Sequence, residues 1–476
     1  MGPLARLGVV FRRGFGRVTP DPFVLAVALS ILVLIVAIVG GDWPAVGTAA
    51  SPDSLLARVI AGLDAWGNTG LWKLLAFAMQ MVLMLMLGTA LAEAPIVRRG
   101  IAKLARLASG PRSLVAITAA VSIALALLSW SLSLIGGAIL AREGGRQAKL
   151  RGWKFHYPIA CAAAYSGLMC WHGGLSGTAP LKATTEKDMV EVLGPALAEK
   201  VGTIALDYTL FSNLNLFVTG GLIVLGPLLF AALTPREGSD PAPQEQPETI
   251  ASESLETPLE SPDSEPPPAD ALERIERSPI VIWALALPLL AALIIQLMQR
   301  GLGHIGINTI NLGLLILALM LHGRPHRLLA ACAKGIQGCT GIVLQFPLYA
   351  GIMALMAASG LSAVISSLAS AAGPEWLAPL TFLSAGLLNL FVPSGGGQWA
   401  VQGPIIMKAA HATGIAPGPV LMAMAYGDQW TNMLQPFWAL PLLAVTGVRA
   451  RDIVGYTALW MLAGGAWIIL GLVLWA

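Results

Sequence analysis

Long apolar segments alternate with short polar ones along the chain. Runs of about 20 apolar residues have the length that crosses a bilayer as a helix. The runs lie near residues 22–41, 70–93, 113–141, 157–181, 205–234, 279–298, 305–322, 338–359, 376–405, 418–446 and 453–475. This pattern predicts an all-α polytopic membrane protein, with the lipid bilayer as its surroundings.

Composition supports this prediction. Hydrophobic residues make up 56% of the chain and charged residues only 12%, whereas soluble domains carry about 25% charged residues. Lys and Arg lie in short loops instead of on one continuous face, which argues against nucleic acid as a partner.

The cysteines show neither zinc-type nor disulfide-framework spacing, so we interpret them as apolar fillers, and no cofactor is expected apart from a coupling ion. They are Cys161, Cys170, Cys332 and Cys339.

A segment rich in Pro, Glu and Ser interrupts the apolar pattern at residues 235–277. It has too few apolar residues to fold on its own and predicts a disordered cytoplasmic linker. The linker divides the chain into an N-terminal repeat, residues 1–234, and a second part, residues 278–476, that consists of an extra helix and a C-terminal repeat.

The distribution of positive charge predicts the topology. The N-terminus is basic and therefore cytoplasmic, because cytoplasmic loops carry an excess of Lys and Arg. Basic residues also flank segment 113–141 on both sides, so this segment is expected to enter and leave on the same side as a re-entrant hairpin. Its tip is predicted at "WSLSLIGG", residues 130–137. Segment 376–405 is predicted to be a second hairpin from the opposite side, with its tip at "PSGGGQ", which gives about nine full crossings plus two hairpins.

An internal repeat relates the two halves without a gap. Four pairs of residues lie 261 positions apart, and the charge pattern gives the two units opposite orientations. The pairs are Tyr165 and Tyr426, Pro180 and Pro441, Ser133 and Ser394, and Gly136 and Gly397. Inverted repeats with interrupted helices, here within 157–181 and 418–446, point to the binding site of a transporter.

Small and polar residues concentrate at the predicted hairpin tips and helix breaks. Backbone N–H groups released there favour an anion, and released carbonyls favour a small cation. The alternative is close helix packing through small residues. The predicted substrate-binding residues are Ser131, Ser133, Gly136, Gly137, Gly173, Gly174, Ser176, Thr178, Ser394, Gly395, Gly396, Gly397, Gln398, Thr431, Asn432 and Gln435.

Two ionisable side chains, His172 and Asp428, stand in the middle of apolar segments. Such residues are costly in a membrane and usually face a cavity or a partner. His172 either takes part in proton coupling or is a neutral histidine bonded to freed backbone. Asp428 either carries a proton or Na⁺, or caps a broken helix. The predicted coupling-ion residues are Asp428, His172, Ser133, Ser394 and Asn432.

Several motifs resemble the bacterial short-chain fatty acid transporters associated with acetoacetate and butyrate use. They are "PDPF", "LLAFAMQM", "VPSGGGQWAVQGP", "AYGDQWTNMLQPFWALP" and "RDIVGY". The resemblance implies a bacterial inner-membrane protein, commonly dimeric, that works by an elevator-like motion. It also implies that Ser133, Ser394 and the flanking glycines hold a substrate carboxylate and a Na⁺ ion at the hairpin tips. His172 departs from the family pattern, which has Gly there.

The function expected from these observations is ion-coupled transport of small monocarboxylates, driven by H⁺ or Na⁺. The tips contain no arginine, which favours a singly charged substrate over a dicarboxylate or phosphate. An exchanger or channel for another small anion remains open, as does an intramembrane acyltransferase that uses His172.

Overall fold

The computed structural model describes residues 22–44, 51–73, 75–235, 270–300, 307–367, 373–393 and 395–475, together with four residues near the N-terminus. Over these ranges the chain is helical and contains no strand. The first half comprises α1 (Pro22–Gly40), α2 (Leu55–Leu63), α3 (Leu75–Glu93), α4 (Pro95–Arg106), α5 (Pro111–Leu128), α6 (Trp130–Leu150), α7 (Tyr157–Tyr165), α8 (Thr178–Lys182), α9 (Glu186–Leu193), α10 (Pro195–Val201) and α11 (Asn213–Leu233).

The second half comprises α12 (Ala271–Glu276), α13 (Pro279–Arg300), α14 (Ile307–His322), α15 (Pro325–Gln337), α16 (Thr340–Ala358), α17 (Leu361–Ser367), α18 (Leu377–Asn389), α19 (Gly395–Thr413), α20 (Pro417–Thr431), α21 (Pro436–Thr446) and α22 (Ala450–Trp475). Most of the predicted linker lies outside the described residues. Its last residues form α12, with Asp270 accepting a hydrogen bond from the Glu273 amide as an N-cap.

Helices α5 and α6 fold back on each other and form hairpin 1. Ser122 on α5 contacts Ser133 on α6, and Leu114 near the start of α5 packs at Gly144 near the end of α6, so the two helices are antiparallel. The turn is a single extended residue, Ser129 (φ −159°, ψ 125°).

The predicted boundaries of hairpin 1 were wrong in two respects. The "WSLSLIGG" segment forms the first two turns of α6 and is not the turn itself. The second arm also continues past residue 141 to Leu150, because Arg and Lys are good helix formers that extend the helix where the apolar pattern stops. Arg142, Arg146 and Lys149 are therefore helical and are not part of a loop.

Helices α18 and α19 form hairpin 2. Gln398 donates to Ala385 O and Gln402 donates to Ser384 Oγ, which places the two helices antiparallel. Helix α19 begins at Gly395, so the expectation that the glycine run would be non-helical was wrong. Ser394, a predicted site residue, lies outside the described residues.

Each hairpin is followed by an interrupted helix, in the regions that the sequence predicted. After α7 the chain passes through two 3₁₀ turns, Ser166–Met169 and Trp171–Gly173, before α8 begins; we call residues 166–177 break 1. After α20 a 3₁₀ turn, Asn432–Leu434, precedes α21; we call residues 432–435 break 2. Break 2 lies within the predicted interrupted helix 418–446, and Asp428 lies before it, in the last turn of α20.

The element order of the first half recurs in the second. Helices α3 and α16 begin and end 265 positions apart, and α5 and α18 end 261 positions apart. Within the described residues, four helical stretches are long and apolar enough to cross a membrane: Pro111–Leu128, Asn213–Leu233, Ala271–Gln299 and Ala450–Trp475. The pair Ala78–Leu91 and Pro95–Arg106, bent by 72°, gives a fifth if it is counted as one span. The number of nine crossings stays a prediction.

Candidate functional site

The two ionisable residues from the middle of apolar segments contact each other. His172 in break 1 places Nδ1 3.0 Å from Asp428 Oδ2 at the end of α20, and the two side chains are 0% and 2% exposed. His172 Nδ1 also lies 3.1 Å from Ala425 O. The His172 backbone amide donates to Gln429 Oε1 at 3.0 Å. The pair therefore joins the two halves of the molecule at full burial.

The surroundings of His172 restrict its chemistry. Because Nδ1 faces a carboxylate and a carbonyl, both acceptors, this nitrogen is the donor of the ring. Nε2 has no hydrogen-bond partner in the structure, and the same is true of both carboxylate oxygens of Asp428 and of Gln429 Nε2. The 3.0 Å approach of Asp428 Oδ2 to His172 Nδ1 is therefore a close polar contact, while Nδ1 is hydrogen-bonded to Ala425 O. Buried polar atoms without partners are rare and mark functional positions.

Two neighbours hold the His172 ring in place. Trp171 stacks on it, with ring centroids 3.7 Å apart and an interplanar angle of 20°. On another side, the first residue of α19, Gly395, approaches so closely that a Cβ there would lie 2.7 Å from His172 Cε1 and Nε2. Hairpin 2 therefore begins its second helix directly against the ionisable pair.

Hairpin 2 is also bonded to break 2 through Asn389, the last residue of α18. Asn389 Nδ2 donates to Asp428 O at 2.8 Å and lies 3.0 Å from both Thr431 Oγ1 and Asn432 Oδ1. In return, Gln435 Nε2 donates to Asn389 O at 2.9 Å. The predicted site residues Thr431, Asn432 and Gln435 thus converge on one amide that sequence reasoning missed, although an Asn within "GLLNLFVP" is a detectable polar interruption.

Hairpin 1 is joined to break 1 through serines. Ser133 Oγ lies 2.9 Å from Ser122 Oγ, which accepts from the Gly167 amide at 3.2 Å. Ser133 therefore faces the interior between the hairpin and the break. Ser131 lies two residues nearer the start of α6, and its Oγ is 2.9 Å from Ser129 Oγ.

Most of the predicted glycines lie at close approaches of the backbone. A Cβ at Gly137 would meet Ala164, one at Gly173 would meet Thr219, and one at Gly174 would meet the Leu127 backbone, in each case within 3 Å. A Cβ at Gly136 would lie 2.7 Å from Leu125. At these positions the glycines allow close packing of the backbone, which is the alternative to a binding role that the sequence left open.

The remaining predicted site residues also lie in break 1 and at the starts of α8 and α19. Ser176 Oγ donates to Ala126 O at 3.0 Å, and Gln398 Nε2 reaches Gln402 Oε1 at 3.1 Å. A Cβ at Gly396 would make an ordinary contact with Thr178. Gly397 follows in the first turn of α19.

Several carbonyls released by the breaks accept hydrogen bonds from side chains of other elements. Tyr165 Oη donates to Asn432 O at 2.8 Å and lies 3.1 Å from Gln435 O. Asn215 Nδ2 donates to Gly173 O, and Trp460 Nε1 donates to Ser166 O. This satisfies backbone groups that would be costly at membrane depth. These carbonyls each already accept a side-chain hydrogen bond, and the expectation that carbonyls released at the breaks bind a cation stays a prediction.

A small, partly open cavity lies beside the start of α6. Trp130 forms one wall and packs edge-to-face on Trp438 of α21, with ring centroids 5.2 Å apart. Ser131 is the predicted site residue that reaches this cavity. Sequence reasoning missed the contribution of Trp438 and Phe346, because both residues resemble ordinary apolar packing in the sequence.

Metal-binding chemistry is limited in the described part of the chain. It contains no group of three or more His, Cys, Asp or Glu side chains able to hold a metal ion. The Na⁺ ion predicted at the hairpin tips would use hydroxyl, amide and carbonyl oxygens, and that site stays a prediction.

Comparison with known proteins identifies the family. A family model described as "Short chain fatty acid transporter" matches residues 4–475. Two relatives, each named "Putative short-chain fatty acid transporter", are 34% identical: one from Escherichia coli (99% of this chain, 100% of the relative) and one from Haemophilus influenzae (92% of each). The solved structure of the Alcanivorax borkumensis YdaH transporter matches with a TM-score of 0.43 and 17% identity, over 96% of this chain and 98% of that one. On the family model and these two relatives, the chain belongs to the short-chain fatty acid transporter family.

Proposed function

We propose that the protein is a secondary active transporter that takes up short-chain monocarboxylates, of the butyrate and acetoacetate type, across the bacterial inner membrane. Its family is that of membrane transporters of short-chain fatty acids. Uptake against a gradient needs a coupled ion. The contact between His172 and Asp428 is the observation that carries the coupling proposal.

A buried ionisable pair is well suited to proton coupling. Ionisable groups inside membrane proteins are expensive and mark proton or ion pathways. When a monocarboxylate and a proton bind together, the loaded carrier gains no net charge, which avoids the cost of moving an unpaired charge through a low-dielectric interior. Of the two candidate ions, the histidine–carboxylate contact favours H⁺.

Sodium coupling is the alternative. It would place Na⁺ among Ser133, Asn432 and neighbouring oxygens at the tips and breaks. Ser133 is already bonded to Ser122, and Asn432 Oδ1 to Asn389, so a sodium ion there would need these side chains to rearrange.

Uptake into proteoliposomes tests the proposal. Radiolabelled butyrate and acetoacetate are supplied under an imposed pH gradient or an imposed Na⁺ gradient, each applied separately. Accumulation above equilibrium under the pH gradient alone is the expected result. Accumulation only under the Na⁺ gradient would overturn H⁺ coupling, and saturable uptake that never exceeds equilibrium would favour an exchanger or a channel.

An enzymatic role is the less favoured alternative. The family is one of transporters, and an acyltransferase would convert labelled substrate into a new covalent product. Chromatography of the label recovered from the proteoliposomes separates the two. Unchanged butyrate is expected.

We further propose that the protein is a homodimer with a cytoplasmic N-terminus. Helix α13 exposes apolar side chains such as Ile280 and Met298, at 75% and 81%, a surface that either lipid or a second copy of the chain would cover. Light scattering of the purified protein in detergent gives the mass of the assembly. A monomer mass in several detergents would contradict the dimer.

A further inference from the structure

The cavity beside the start of hairpin 1's second helix is almost entirely apolar. It is lined by residues from both halves of the chain, and the hydroxyl of Ser131 is the principal polar group. Its lining includes Met81 and Leu85 of α3, Trp130 and Ser131 of α6, Phe346 of α16 and Trp438 of α21. Four separate helices therefore enclose one apolar pocket.

A larger, charged space adjoins this pocket. We call it the vestibule, and Leu85 and Pro441 line both spaces. The charged residues along its wall are Glu93, Arg98, Arg142 and Lys334.

The vestibule is net positive. Three of the four charged side chains are basic, and the single carboxylate, Glu93, lies 3.7 Å from Arg98 and 4.0 Å from Lys334. A cleft lined mainly by one sign of charge raises the local concentration of oppositely charged ligands. The vestibule therefore favours anions, and the pocket beyond Leu85 favours hydrocarbon.

We propose that the pocket holds the hydrocarbon chain of the transported acid and that the ring of Trp438 sets the longest chain accepted. This inference rests on the proposed function, which it extends to substrate selectivity. The carboxylate faces the vestibule and Ser131 while the chain occupies the apolar end. A dicarboxylate would bring its second charge into the apolar lining, where an unpaired charge is strongly disfavoured, so the pocket selects monocarboxylates.

Chain-length profiles test the assignment. Acids with two to eight carbons compete with labelled butyrate for uptake, and the same acids are tested for thermal stabilisation of the detergent-solubilised protein. Trp438→Ala enlarges the pocket and is expected to improve inhibition by pentanoate about tenfold relative to butyrate, the scale of the one methylene group by which they differ. Leu85→Phe narrows it and is expected to move the preference towards acetate.

Trp467→Ala is the matched control, because Trp467 stacks on Phe217 at 4.7 Å and does not line the pocket. It is expected to keep the wild-type chain-length profile. Profiles of Trp438→Ala and Leu85→Phe that both match the wild type would overturn the proposal. The stabilisation assay separates the pocket assignment from the proposed transport function. Chain-length-dependent stabilisation without uptake would support the pocket and contradict transport. Uptake with a chain-length profile that the variants leave unchanged would support transport and contradict the pocket.

Discussion

At the scale of single residues, the sequence identified His172 and Asp428 as unusual but left open whether they serve coupling or structure. Their contact joins residues from opposite halves of the chain, and no local sequence pattern predicts which residues so far apart in sequence come into contact. The structure excludes one alternative, since Asp428 lies in the last turn of α20 and its side chain points to His172 instead of capping a helix start. Asn389 was missed because a lone Asn in an apolar run has no sequence partner that indicates its role.

The first residue-scale prediction concerns Asp428→Asn. Asparagine keeps the size of the side chain and its polar contact with His172 Nδ1, but it cannot bind and release a proton. Accumulation of butyrate driven by a pH gradient is therefore expected to fall to the level of protein-free liposomes. Exchange of labelled for unlabelled butyrate, which needs no net proton movement, is expected to persist.

Asp452→Asn provides the control for this variant. Asp452 lies at the start of α22 and pairs with the exposed Arg449 at 3.3 Å, so its loss is expected to leave gradient-driven uptake unchanged. Normal accumulation by Asp428→Asn would remove this residue from the coupling mechanism.

The neighbouring glycines of α19 provide a second prediction. In Gly395→Ala the new Cβ would lie 2.7 Å from the His172 ring, which Trp171 and Asp428 hold in place, whereas in Gly396→Ala it would meet Thr178 at 3.4 Å. Overpacking of this kind costs about 1–3 kcal/mol. Thermal unfolding and uptake are expected to be impaired in Gly395→Ala and nearly normal in Gly396→Ala; equal behaviour of the two variants would contradict the close approach.

At the scale of elements, the sequence located both hairpins and both interrupted helices but misjudged where they end. Glycine has a low helix propensity, which predicts a non-helical run of three, yet Gly395 begins α19. The close approach of Gly395 to His172 leaves no room for a side chain and accounts for the glycine at this position. Helix α6 likewise passes through the charged residues at which the apolar pattern ends. Tertiary packing determines where these helices begin and end, and the pattern of apolar residues in the sequence does not reveal that packing.

The element-scale prediction concerns the link between α7 and break 2. Tyr165→Phe removes the hydroxyl that donates to Asn432 O and lies beside Gln435 O, which leaves buried carbonyls without this donor. Such a loss costs about 1–3 kcal/mol. The measurement is thermal unfolding in detergent, where a lower midpoint is expected. Tyr208→Phe, at a 69% exposed position, is expected to unfold like the wild type, and an unchanged midpoint for Tyr165→Phe would show that break 2 does not depend on this bond.

At the scale of the whole molecule, the repeat was predictable because matching residues stand at a constant offset. The same offset appears in the ends of α5 and α18, and a slightly longer one relates α3 to α16. The contacts between the halves were not predictable, since each half supplies its own interrupted helix and only folding brings them together. The orientation of each half in the membrane rests on charge in the loops.

Sidedness labelling tests that orientation with the full-length protein in intact cells. The native cysteines Cys161, Cys170 and Cys339 are buried and Cys332 is partly buried, so introduced cysteines at exposed positions report with little background. Asp53→Cys and Glu375→Cys are expected to react with a membrane-impermeant maleimide from outside, because they lie on predicted outer loops of the first and second halves. Gly100→Cys, within the basic helix α4, is expected to react only after the membrane is permeabilised. Labelling of Gly100→Cys in intact cells would reverse the first half, and protection of Glu375→Cys would mean that the second half is not inverted relative to the first.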